Sequence, residues 1–314
     1  MKYFPYLRGK QFELIALREM CSITENTSII SPIIEPVKKI GATLLKTLDC
    51  LIEKNINFNL ILNPKVGDID TDYDTFINTI TSKLKKYSNY QPSFIINEQV
   101  NISLIIDFIK KYKLNNISLI CIQQPKNDEL FDNLLKVASI KYAILQDDSS
   151  VRRLSRKIRP YCSDFIFLAD HFNIKTKNVE YDFINDEFFS EDHLFFEEEG
   201  YQGFADYLTI GSDFKEGGFL PYAVAIHLTY FDENQAFRIR HFVSNSNEDN
   251  ADTPGKFAEA LAKLIPFIND KKIDTYACNQ FREIYDKGLY PGLGSVKKLS
   301  ILNHIELVYR YFTK

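Results

Sequence analysis

A (β/α)8 TIM-like barrel is the fold this sequence predicts, on three observations. Eight short apolar runs, each ending in polar residues, recur along the first two thirds of the chain. Their polar ends begin at Gly9, Glu35, Asn63, Asn97, Gln123, Asp147, Asp170 and Gly211, so the successive gaps are 26, 28, 34, 26, 24, 23 and 41 residues. Six of the seven gaps carry a helical period. The runs are also continuously apolar rather than alternating, the mark of parallel strands covered by helices. Eight right-handed βα steps with no switch in order favour a closed ring over an open doubly wound sheet.

The elements follow in order. The first strand lies in YFPYLRGK (3–10), and Phe12, Leu14, Ile15 and Leu17 give the next helix its apolar face. ISPIIEPVK (30–38) precedes a helix over 38–54 carrying Ile40, Leu44, Leu48, Leu51 and Ile52. FNLILNPK (58–65) precedes a helix over 73–87, with Asp70 and Thr71 as N-cap candidates. After SFIINEQ (93–99), Asn101 caps the next helix, and after SLICIQQP (118–125), Asn127 caps DELFDNLLKV. YAILQDD (142–148) leads to Ser149 or Ser150 as cap of VRRLSRKI. DFIFLADHF (164–172) and YLTIGSDF (207–214) supply the seventh and eighth strands.

Two parts depart from the repeat, and all belong to one barrel domain spanning 1–314. An acidic, Phe-rich insertion at 180–200 follows strand seven, with nine carboxylates from Glu180 to Glu199. An appended β-hairpin at 215–245 follows strand eight: PYAVAIHLTYF and FRIRHFV flank the turn DENQ. Period two puts Arg238 and Arg240 on one face, Ile239 and His241 on the other, with solvent the default for the basic face. Closing and C-terminal helices occupy 254–314.

Composition narrows the function classes. A net charge of −4 provides no global field for nucleic acid or anionic lipid. Five scattered cysteines without a C-x-x-C suit buried thiols in a reducing cytosol, with Cys50 and Cys121 read as core. No signal-peptide pattern or bilayer-length apolar run is seen, so the expectation is a cytoplasmic protein. G-x-G-x-x-G, Walker, G-x-S-x-G and H-E-x-x-H motifs are missing.

Barrels place chemistry at the carboxyl ends of their strands. The catalytic candidates there are Glu35, Lys38, Asp147, Asp170 and His171. The ligand-binding candidates are Arg8, Lys10, Asn63, Lys65, Asn97, Glu98, Gln123, Asp148 and Asp213. A carboxylate beside a lysine is tunable into an acid–base pair, and histidine titrates near neutrality. In a hydrolytic version Asp170 or Glu35 activates water while His171 or Lys38 steadies the leaving group. A polar rim of salt bridges is the competing reading. Any cofactor is unknown, and carboxylates with His171 leave a metal open. Arg152, Arg156 and Arg159 share one face of the basic helix, which either grips phosphates, is solvated, or meets the acidic insertion within the subunit or across a dimer. In the last case Phe183, Phe188, Phe189, Phe195 and Phe196 anchor a lid or a partner surface.

Several motifs carry a family resemblance. They are YFPYLRGKQFELIALRE, IIEPVK, LNPKVGD, FLADHFN, RIRHFVS, PGKFAEAL and above all DYLTIGSDFKEGGFLPYAVAIHLTY. Together they resemble the phage "beta protein" family, a bacterial and prophage group without an established activity. The resemblance runs over nearly the whole chain. It implies a role in antiphage defence or phage exclusion beside a nuclease-like companion protein, and it names no catalytic residue. The leading expectation is a mouth pocket for a small polar or phosphorylated ligand, with nucleotide or phosphodiester hydrolysis as its catalytic form. The second is a non-catalytic sensor or scaffold, with or without homo-oligomer formation, that regulates the companion.

Overall fold

The computed structural model describes residues 1–38, 41–67, 73–214, 216 and 220–314. The chain divides into two compact units. The first comprises Met1–Lys10, Asn26–Ala169 and Phe195–Asp206. The second comprises Gln11–Glu25, Asp170–Leu194 and Tyr207–Lys314.

The first unit is the barrel. Its strands are β1 (Tyr6–Leu7), β2 (Ile33–Ile34), β3 (Phe58–Ile61), β4 (Tyr90–Ile96), β5 (Ile117–Cys121), β6 (Ile140–Gln146), β7 (Phe165–Ala169) and β9 (Gly203–Asp206). They pair in parallel in that order. A parallel bridge between Tyr3 and Phe204 joins the two edges, with Phe4 N donating to Phe204 O and Phe204 N to Lys2 O, both at 2.9 Å. Closure leaves no long edge to template aggregation. The strands are buried on both faces because helices α2 (Ala42–Glu53), α3 (Tyr73–Leu84), α4 (Ile102–Tyr112), α5 (Asp128–Val137) and α6 (Arg152–Ile158) follow β2 to β6 in turn. Inside, a buried polar chain links three strands: Asn59 Nδ2 donates to Ser31 Oγ at 3.0 Å, and Ser118 Oγ donates to Asn59 Oδ1 at 2.6 Å. Each member thereby satisfies another, as buried polar groups must.

Local signals performed as expected at two caps. Asn101 accepts from Leu104 N and Asn127 from Leu130 N. The Asp70 and Thr71 caps lie outside the described residues. Ahead of α6 the cap is Asp148 rather than Ser149 or Ser150: its carboxylate accepts from Ser150 N at 2.7 Å and opens the 3-10 turn Ser149–Val151, while α6 itself has no side-chain cap. A carboxylate outcompetes a hydroxyl where amide dipoles point at it. Cys121 is fully buried and Cys50 only half-buried.

The eighth strand differs in position. Expected over 207–214, it ends at Asp206, and 208–210 form a turn in which Leu208 takes φ +52°. Pairing to β7 and to Tyr3 selected GFAD over the more apolar YLTI, a tertiary choice that local hydropathy does not carry. The eighth strand's polar end is therefore Asp206, not Asp213.

The second unit contains α1 (Gln11–Ile23), β8 (Asp186–Ser190), most of the short α7 (Asp192–Phe195), β10 (Ala225–Phe231), β11 (Phe237–Val243), α8 (Thr253–Asp270), α9 (Tyr276–Asp286) and α10 (Leu293–Thr313). The expected hairpin is present, with its turn held by Asp232 Oδ1 accepting from Asn234 N and Ala236 N. The acidic insertion is not a separate flap. Its residues 186–190 form β8, which extends the hairpin into a three-stranded antiparallel sheet. Asp186 there receives Arg238 Nε at 2.6 Å and approaches Arg240, so the basic face of β11 meets a carboxylate instead of solvent alone. Two residues of the basic helix, Arg153 and Lys157, are paired within the barrel. Lys157 reaches Asp132 at 2.9 Å and Asp128 at 3.4 Å on α5, and Arg153 pairs with Asp128. Of the insertion's phenylalanines, Phe189 and Phe196 are buried, whereas Phe183, Phe188 and Phe195 are exposed.

The long helix α10 packs on β10 and α1. Lys297 and Lys298 bind Glu13 and Glu19 of α1 at 2.9 and 2.6 Å. Beneath them Asn303 donates to Thr229 O and accepts from Thr275 Oγ1, the N-cap of α9. No helix among the described residues is long and apolar enough to cross a membrane.

Candidate functional site

Three consecutive strand ends of the barrel converge on one carboxylate. Glu35, the residue that follows β2, is 1% exposed. Its Oε2 accepts from Tyr6 OH at 2.8 Å and from Arg8 Nη1 at 2.6 Å, both on the segment of β1. Its Oε1 accepts from the backbone N–H of Lys65, after β3, at 2.9 Å. The period of two explains the convergence: Tyr6 and Arg8 share a face of the first strand, as Ile33 and Glu35 share one of the second. Charge-assisted hydrogen bonds of this kind are among the stronger ones available.

Backbone shape brings the loops close enough. Gly9 takes φ +63°, and a Cβ there would sit 3.0 Å from Glu35 O. Gly67 takes φ +93°, and its Cβ would stand 1.9 Å from Val37 O. Only glycine accommodates both the left-handed backbone and that approach. Gly67→Ala is expected to cost about 2 kcal/mol or more, measured as a drop in denaturation midpoint. An unchanged midpoint would mean the two loops do not pack in this way.

The charges around Glu35 set the chemistry. Lys65 is exposed as a residue, yet partial desolvation of its amine lowers its pKa; Glu35 opposes that shift and Arg8 adds to it. An amine held below its usual value is nearer to working as an acid or base at neutral pH. Arg8 also lies over the Tyr6 ring, 5.4 Å from its centre. A second buried carboxylate, Asp206 at the end of β9, accepts from Tyr3 OH at 2.9 Å, and burial with this carboxylate pushes the Tyr3 phenol well above its normal range.

The remaining expected residues divide by environment. Asn63 is structural: its amide both donates to Ile95 O and accepts from Ile95 N, extending the β3–β4 ladder. Asn97 accepts from Gln99 N, and Asp148 serves as the cap already described. Lys38, Glu98, Gln123 and Asp147 are exposed, and Lys10 is half-buried. Asp170, His171 and Asp213 belong to the second unit. There Asp170 staples loop backbone, accepting from Ser212 N at 2.8 Å and Phe172 N at 3.2 Å. His171 Nε2 meets Asp192 Oδ2 at 2.6 Å. No group of three or more His, Cys, Asp or Glu side chains is arranged to hold a metal ion among the described residues.

Sequence reasoning missed Tyr6, Tyr3 and Asp206. Tyr6 was readable, because it stands two residues before Arg8 on the same strand face. Asp206 was not, because the strand it ends was placed too late.

The second unit holds a further titratable cluster. His227 Nδ1 and His241 Nδ1 are 2.7 Å apart across the β10–β11 pair, and His241 Nε2 lies 3.2 Å from Glu187 Oε1 on β8. Tyr181 and Phe172 pack against both rings. Burial, with His241 adjacent, pushes His227 down to about 3, and burial lowers His241 against the opposing pull of Glu187.

No protein-family model matches the sequence, and no curated protein matches it. Among solved structures the chain is similar to the Bacillus cereus spore cortex-lytic enzyme SleL, with 14% identity and a TM-score of 0.38, over 96% of this chain and 74% of that one. Neither activity nor substrate follows from a likeness at that level.

Proposed function

We propose that the carboxyl end of the barrel binds a small polar or phosphorylated ligand, with Arg8 and Lys65 as its cationic contacts. The observation that carries this reading is the convergence of Arg8, Tyr6 and Lys65 on the buried Glu35. Glu35 is already engaged by three donors, so in this reading it positions Arg8 rather than activating water. A guanidinium fixed by a buried carboxylate is held in a defined plane, a geometry that suits phosphate. Lys65, its pKa lowered, is the acid–base candidate in a hydrolytic version. The biological setting we propose, phage exclusion or antiphage defence, rests on the motif resemblance to the phage beta protein group.

The test is hydrolysis of mono- and bis-(p-nitrophenyl) phosphate by the purified protein. Lys65→Met is expected to lower the rate at least about tenfold. An equal rate in the variant would refute the catalytic form.

One observation favours a second reading, in which the protein is a scaffold for a companion. Phe183 and Phe188 are 86% and 54% exposed within the acidic segment. Large exposed apolar groups of this kind commonly mark a partner surface. Under that reading Phe183→Ser with Phe188→Ser abolishes protection in a plaque assay while Lys65→Met does not; the reverse pattern supports the ligand-binding barrel.

A further inference from the structure

The imidazole pair of the second unit lies under a strap of chain, residues 172–184. His241 is buried and His227 half-buried. The Tyr181 ring is centred 4.6 Å from each imidazole, and the Phe172 ring 5.0 Å from His227. Tyr181 also joins Ala223 and Val243 in a small apolar cluster, against which Phe172, Val179 and Ile184 pack.

Backbone pairing contributes little to holding the strap. It supplies no strand, and its regular element is the 3-10 turn Asn178–Asp182. The bonds from Lys175 N to Tyr181 OH, Glu180 N to Lys177 O and Ile184 N to Tyr181 O stay inside it. Among the described residues two bonds cross to the chain beneath. Asn178 Nδ2 donates to Ala223 O at 2.7 Å, and Asn173 Nδ2 to Glu187 Oε2 at 3.1 Å. A segment so lightly bonded opens at less cost than the sheet under it.

The histidines couple that opening to pH. Their Nδ1 atoms, 2.7 Å apart, hold one proton between them. His241 Nε2 gives its proton to Glu187 at 3.2 Å, so a further proton on His241 must take Nδ1 and meet the N–H of His227. Burial, with His241 adjacent, holds His227 at about 3. The neighbouring charges do not cancel the effect. Glu187 and Asp186 on β8 pull His241 up and Lys175 on the strap pushes it down, yet burial keeps it below the usual histidine value. Tyr181, raised above its own usual range, stays neutral. Once uncovered, both rings titrate near 6.5, at about their value in water.

We propose that residues 172–184 form an acid-released strap: protonation of the His227–His241 pair lifts Phe172 and Tyr181 from the rings and exposes the apolar cluster at Ala223 and Val243. The device depends neither on a barrel ligand nor on a companion protein.

Hydrogen exchange at the Lys175 and Ile184 amides, corrected for the intrinsic rate, reads the lifting. Both are expected to be less protected than β10 and β11 at every pH. Their protection is expected to fall at least about thirtyfold from pH 8 to pH 5, the ratio set by one histidine moving from about 3 to about 6.5 on release. His227→Gln is expected to shrink that ratio at least about fivefold. Tyr181→Phe removes the tie to Lys175 and leaves the histidines, so Ile184 is expected to lose protection at both pH values with the ratio kept. Equal protection at pH 8 and pH 5, an unchanged ratio in His227→Gln, or strap amides as slow as those of β10 and β11 would each overturn the proposal.

Discussion

Replacing Glu35 by Ala should destabilise the barrel by about 3–5 kcal/mol, the cost of leaving a buried charge without its partner. The guanidinium of Arg8 lies mostly out of solvent, its side chain 12% exposed, and Tyr6 OH and Lys65 N lose their acceptor at the same time. Glu35→Gln keeps an acceptor oxygen and the shape while removing the charge, so its cost should be about half as large. Arg8→Met added to Glu35→Gln should recover part of that loss, because an apolar pair of similar volume often replaces a buried ion pair without penalty. Urea denaturation of the four proteins reads all of this. A Glu35→Ala midpoint equal to that of wild type would show that the carboxylate is solvated and that the three strand ends do not meet on it.

The second large effect is on pH. His227 Nδ1 and His241 Nδ1 face each other with room for one proton, and His241 presents Nε2 to Glu187. These contacts fix the tautomers: His241 Nε2–H donates to Glu187, its Nδ1 accepts, and His227 Nδ1–H donates. A proton added to His241 would occupy Nδ1 and set two N–H groups head to head. Burial, with His241 adjacent, holds the folded pKa of His227 at about 3, below the unfolded value of about 6.5. The unfolded chain binds more protons between these limits, so stability rises with pH across the window. It is fully present above about pH 6.5 and is lost progressively as pH falls toward 3. At pH 5 the loss from His227 alone is about 2 kcal/mol relative to pH 8, and His241, also lowered, adds to it. Hydrogen exchange of β10 and β11 amides at pH 8 and 5 follows the opening of this sheet directly. After correction for the intrinsic exchange rate, protection in wild type should fall, and His227→Gln should fall much less. Parallel behaviour of the two proteins would remove the imidazole pair as the cause.

How far the sequence foretold these features depends on the range of the interactions. NLIL, FII, LICI and FIFLA announced buried parallel strands because burial on both faces leaves no choice of residue type. Asn101 and Asn127 announced their helices because a cap is a contact across three residues. Glu35 announced itself as a polar residue ending an apolar strand. Its partners were half legible: Arg8 and Lys65 stood at neighbouring strand ends, but nothing local says that Lys65 contributes its backbone rather than its amine. The β8 strand and the His227–His241–Glu187 cluster were hidden, since residues 186–190 read as a polar insertion until β11 is placed beside them. The eighth strand was displaced for the same reason, its pairing with Tyr3 spanning nearly two thirds of the chain.

That last seam has a consequence for biosynthesis. Tyr3 and Asp206 are 203 positions apart, so the ring cannot shut until the ribosome has delivered both. Until then the nascent β1 segment and its neighbours offer unpaired backbone to any other strand in the cell. Contacts of such high sequence separation form slowly, and half-made sheets are the species that aggregate. The seam between the first and last staves thus makes translation speed and chaperone supply determinants of the yield of this protein.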